Sequence, residues 1–129
     1  MLDHETAFVE AFVVPDKRVR YRELLASGKR GKLTAKLDHT RDLDIGMARS
    51  IAPDNQDADS ILRMLLDLGA SQTCHVISSD SRLDGQEMDL AAVLVDIVGH
   101  GNATFVSCIP GRLGYFEGAE KGERFIFKA

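Results

Sequence analysis

The sequence predicts an α+β fold in which N-terminal helices pack against a C-terminal β-α-β-β-β mixed sheet. Two observations carry this prediction. Up to Leu68 the apolar residues recur at helical spacing, and from Thr73 onward they gather in short β-branched and aromatic runs separated by Gly, Pro and polar turns. Size is a third: 129 residues, 44% hydrophobic and 28% charged, suit a single domain over 1–129. That composition supplies enough apolar surface to offset the entropy of ordering the chain.

The helices come first. Ala7, Phe8, Ala11 and Phe12 fall on one helical face, and Pro15 ends that helix while suiting the first turn of the next. The second helix runs to about Ser27 with Val19, Tyr21, Leu24 and Leu25 inward, and Ser27-Gly28 closes it. Around Lys32–Thr40, Leu33 and Leu37 make a narrow apolar stripe, and Leu43–Ala52 reads as a short helix before Pro53. Asp57 to Leu68 is the clearest helix, with Ala58, Ile61, Leu62, Leu65 and Leu66 inside, an Asp59/Arg63/Asp67 ladder outside, and Gly69 as its C-cap.

Thr73–Ser78 then reads as a strand. Asp84-Gly85-Gln86-Glu87 resembles a capping box opening an almost wholly apolar helix from Gln86 to Val98. Strands follow at Ala103–Ile109, Leu113–Glu117 and Arg124–Lys128.

The totals bound function. The acidic start, Met1-Leu2-Asp3-His4-Glu5, lacks the pattern of a signal peptide. The apolar run Leu90–Val95 stops at Asp96, far short of a bilayer span, so a cytoplasmic protein without membrane contact is expected. Cys74 and Cys108 sit in strand-like runs and not at metal-ligand spacing, so two buried free thiols are expected, with no disulfide, cofactor or metal. The net charge of −4 is unevenly spread. Residues 16–41 hold nine basic residues against three acids, and the remainder is strongly acidic. Such a dipolar surface can steer a charged partner.

If Thr73–Ser78 and Ala103–Ile109 are the strands of a right-handed crossover, they run parallel and end on one edge of the sheet. That edge gathers Ser79, Asp80, Ser81 and Arg112 beside the N-terminus of the intervening helix, where anions are favoured. These four are the candidate ligand-binding residues; the structural alternative is an Arg112 that only neutralises Asp80. No catalytic residue is assigned. Cys74 and His75 are strand neighbours and point to opposite faces, so they form no dyad. His100 belongs with Asp89 and Asp96 at the far end of the crossover, about 20 Å from Asp80 at roughly 3.3 Å per residue. His39 has carboxylates nearby, but metal binding there needs a second cluster. Gly99-His100-Gly101 follows a helix and so lacks the strand-then-helix context of a nucleotide loop, and Ser27-Gly28-Lys29-Arg30-Gly31-Lys32 lacks the phosphate-loop spacing. Tyr21 is the only aromatic residue of the basic segment, so nucleic acid is not an expected partner.

The runs Asp84-Gly85-Gln86-Glu87 to Ile97-Val98-Gly99, and Ser107-Cys108-Ile109-Pro110-Gly111-Arg112-Leu113-Gly114-Tyr115-Phe116-Glu117-Gly118, resemble the C-terminal half of an uncharacterised bacterial protein family. The resemblance implies no activity and no residue role. The residues favour a non-enzymatic binding or regulatory domain for a protein or a small anionic ligand. Two alternatives stay open: a small hydrolase- or transferase-like enzyme using the Asp80/Arg112 edge, and weak RNA contact through the basic helices of 16–41. Oligomeric state is not readable.

Overall fold

The computed structural model describes residues 3–37, 40–120 and 123–129. Helix α1 (His4–Phe12) is capped by the Asp3 carboxylate, which accepts the Thr6 N–H, and it buries Ala7, Phe8, Val9 and Phe12. Pro15 opens a single 3-10 turn, Pro15–Lys17, leading into α2 (Arg18–Ala26). Tyr21 and Leu24 of α2 are buried, whereas Val19, expected inside, is 59% exposed. Gly28, at φ +71°, makes the reversal into α3 (Arg30–Lys36), which buries Leu33.

In place of the helix expected before Pro53, Leu43–Ala52 holds a 3-10 turn (Ile45–Met47) and strand β1 (Ala48–Ser50). Helix α4 (Ala58–Asp67) matches expectation at both ends: Asp57 accepts the Ser60 N–H, and Gly69 sits at φ +105°. Its Leu66 is 43% exposed and not inward as predicted.

Strands β2 (Thr73–Ser78), β3 (Glu87–Asp89), β4 (Thr104–Ile109), β5 (Leu113–Glu117) and β6 (Arg124–Lys128) complete a six-stranded sheet in the order β1-β6-β5-β4-β2-β3. Helix α5 (Leu90–Ile97) lies between β3 and β4. The α+β class holds. The sheet, however, is antiparallel at every pairing and not mixed.

The reason is local. Residues 87–89, expected as the first helical turn, form β3 and fold back on β2, with Thr73 opposite Asp89. The chain therefore enters α5 at the starting end of β2. Eight helical residues carry it back about 12 Å, at 1.5 Å per residue, toward the finishing end. There β4 begins, with Thr104 opposite Ser78, and runs antiparallel to β2. Asp84 caps nothing; the α5 N-cap is Asp89, which accepts the Ala92 N–H.

Both faces of the sheet are covered. Cys74, Val76, Val106, Cys108 and Tyr115 face a core completed by α4 and α5. Ile77, Phe105, Phe116 and Phe127 face another completed by α1, α2 and α3. Double coverage explains why β4 and β5 are buried almost throughout. In the second core, Phe8 packs on Phe105 at 4.5 Å between centroids, and Phe12 bridges Phe105 and Phe127. No helix among the described residues is long and apolar enough to cross a membrane.

Candidate functional site

Alternation along β2 and β4 sends His75 and Ser107 to the face that carries α1, and the two are cross-strand partners. Two polar positions thus interrupt an apolar face, and the first turn of α1 lies over them. His4 Nδ1 is 2.7 Å from Ser107 Oγ. His75 donates from Nε2 to Glu5 Oε2 at 2.8 Å. The two imidazoles stack, with centroids 5.5 Å apart and planes 11° from parallel.

Glu5 has a second partner. Arg30, at the start of α3, donates from Nη1 and Nη2 to the two Glu5 oxygens at 2.6 and 2.7 Å. The same guanidinium donates from Nε and Nη2 to Asp84 at 2.7 and 2.9 Å. Asp84 also accepts the Ser78 N–H at 3.0 Å. One arginine therefore ties α1, α3 and the β2–β3 connection together through two bidentate pairs, the strongest geometry available to it.

These groups line an open cleft of about 1170 Å³, whose apolar surface includes Leu25, Ala26 and Pro110. Its electrostatics follow from the pairing. Burial works to raise the Glu5 carboxyl, but the hydrogen bonds from His75 and Arg30 outweigh it and bring the pKa down to about 2. His4 is pushed down, first by burial and then by the neighbouring His75, against weaker attraction from Glu87 and Asp3. Four carboxylates (Asp3, Glu5, Asp84, Glu87) face two guanidiniums, Arg22 and Arg30. Arg30 is committed to Glu5 and Asp84, and Arg22 pairs with Glu10. With neutral histidines the cleft is therefore negative in balance. Ser107 is 1% exposed, so its hydroxyl is not presented as a nucleophile. Among the described residues there is no group of three His, Cys, Asp or Glu side chains able to hold a metal. His39 lies outside the described residues.

The residues singled out from sequence are not brought to one edge. Because β2 and β4 are antiparallel, Ser79, Asp80 and Ser81 follow the end of β2 while Arg112 follows the end of β4, at the opposite end of the sheet. Asp80 pairs with Arg82 at 2.7 Å and not with Arg112. Arg112 is exposed and in no ion pair among the described residues. Ser79 and Ser81 line a smaller cleft of about 410 Å³, with Arg30, Thr34 and Asp84 on its wall. The same reversal corrects the placement of His100: the Ser79 N–H bonds to the Ala103 carbonyl at 2.9 Å, so the end of α5 lies on the Asp80 side. The thiol expectations hold. Cys74 and Cys108 are free and buried in the α4/α5 core, across the sheet from His75, and burial pushes both up to about 12.

The sequence reading missed Glu5, Arg30 and Asp84. By sequence Arg30 is one of nine basic residues in 16–41, and Asp84 reads as a cap. Only His75 at an inward strand position was a visible signal.

No protein-family model, curated protein or solved structure matches the chain.

Proposed function

We propose that this chain is a non-enzymatic binding domain whose ligand seats in the cleft between α1, the α2–α3 turn and the β2–β3 connection. The ligand is an uncharged polar or cationic segment of a partner protein. One observation carries the reading: each guanidinium on the cleft already has a carboxylate partner, which leaves an acidic excess over an apolar lining. An anion would meet no free cation there, whereas a hydrogen-bond donor or an ammonium group gains attraction. The cleft is also open and large for an enclosed small-molecule site, which typically holds about 300–1,000 Å³. Burial of Ser107 speaks for binding over nucleophilic catalysis. The two unpaired buried thiols suit a reducing, cytoplasmic compartment.

A titration of the isotopically labelled chain with matched cationic, neutral and acidic peptides tests this. Cationic or neutral peptides are expected to move the resonances of Thr6, Gly85 and the rings of His4 and His75. A response to acidic peptides alone, or one confined to the Asp80 loop, rejects the reading. Turnover of an ester or phosphodiester that disappears in His75→Gln would replace it with an enzyme.

A further inference from the structure

We infer that the first turn of α1 is an acid-sensitive strap over the cleft, released by protonation of His4, stacked on His75, while the rest of the helix stays docked. The helix is held in two chemically different ways. Its first turn is attached through titratable groups: His4 to Ser107, and Glu5 to His75 and Arg30. Its remainder is attached through Phe8, Val9 and Phe12, buried against Phe105 and Phe127. Mild acid acts on the first attachment at His4 and leaves the second alone.

The two rings are not equivalent. His75 has the Glu5 carboxylate as its hydrogen-bond partner. His4 has only the Ser107 hydroxyl. A proton on His4 therefore places a cation in a ring stacked 5.5 Å from the His75 imidazole, without a bonded counter-ion. The other charges facing the pair are Glu87, on the strand opposite His75, and Asp3 at the helix cap. Arg30 and Asp84 act from beyond Glu5. Burial and the neighbouring His75 oppose a proton on His4 more strongly than Glu87 and Asp3 attract it, which displaces His4 downward.

The sign follows. A ring that binds its proton more weakly when docked favours docking above the free-histidine pKa of about 6.5 and loses that contribution as pH falls below it. Glu5 keeps its charge across that range, because its pKa is held at about 2. His4, not the carboxylate, therefore sets the release. Lifting Asp3–Thr6 away from His75 widens the cleft these residues line.

Nuclear Overhauser contacts in the full labelled chain test the strap. Between about pH 7.5 and about pH 5.5, the His4–His75 ring contact is expected to lose at least about half its intensity while the Phe8–Phe105 contact persists. His4→Gln keeps a hydrogen-bonding group and cannot take up a proton, so its first-turn contacts to His75 should be independent of pH. Should that variant fold poorly, Ser107→Ala serves: it removes the hydroxyl and should shift the release to higher pH. A ring contact unchanged over the range overturns the inference. So does loss of both contacts together, or an unaltered pH response in the variants.

Discussion

Replacing Arg30 by Met keeps most of the aliphatic stem and removes the guanidinium, so it isolates what the two bidentate pairs contribute. Glu5 and Asp84, only 18% and 12% exposed, are left facing one another without the cation between them. Glu5 retains His75, and Asp84 retains the Ser78 N–H. Removing one member of a fully buried pair costs about 3–5 kcal/mol, and an exposed pair contributes about 0.2–1 kcal/mol. Arg30 is itself 34% exposed, which places the expected loss between those limits, at about 2–3 kcal/mol. Burial works to raise the Glu5 carboxyl, and the hydrogen bonds from His75 and Arg30 hold it at about 2 instead. Urea unfolding should show the midpoint falling by about 1–2 M with an unchanged slope. Linkage supplies a second readout. A carboxylate depressed in the folded state stabilises above its unfolded pKa, and that contribution is lost as pH falls toward the folded value. Wild type should therefore lose stability between about pH 4.5 and about pH 2, and Arg30→Met should show a shallower decline. A variant within about 0.5 kcal/mol of wild type, with the same acid decline, would refute the claim that this arginine binds the layers together.

Other positions test other parts of the structure. Gly114→Ala places a Cβ 2.4 Å from the Phe105 ring and 2.9 Å from the Val106 carbonyl, so it should cost about 2–3 kcal/mol; a melting temperature close to wild type would count against the β4–β5 packing. Both thiols, pushed up to about 12 by burial, should react with an aromatic disulfide reagent only on unfolding, and rapid labelling of the native protein at pH 8 contradicts their placement. Arg112→Ala, at an exposed turn without an ion pair among the described residues, should change stability by less than about 1 kcal/mol in urea and leave any phosphate-induced thermal shift unaltered. A larger loss, or a lost phosphate response, would return Arg112 to the list of binding residues.

What could be read from sequence was whatever lies within one or two turns of chain. Asp57 and Gly69 bracket α4 because a cap and its helix are covalent neighbours, and the opposite facing of Cys74 and His75 follows from strand geometry alone. Strand β3 was hidden for a related reason. Three residues cannot display an alternation, and Asp84 with Glu87 imitates a cap whose actual holder is Asp89. That short strand decides whether β4 runs with or against β2, so the error spread to the location of Arg112. The cleft network was beyond local pattern altogether. Arg30 meets Asp84 across 54 residues and Glu5 meets His75 across 70, and which carboxylate an arginine finds at that distance is decided by topology.

The position of β6 bears on how the molecule is made. It lies between β5 and β1, so a strand made later than the five other described strands occupies an interior place in the sheet. A growing polypeptide leaving the ribosome would display α1, α2 and α3 with Phe8, Phe12 and Leu33 uncovered until Phe105, Phe116 and Phe127 arrive to receive them. β1 likewise has no neighbour to pair with before β6 appears. Closure across nearly the whole chain is slow compared with hairpin formation. Half-made chains therefore present a sticky helical surface, and in the cell their yield should depend on whatever shields it, such as a holding chaperone, more than on the stability of the finished fold.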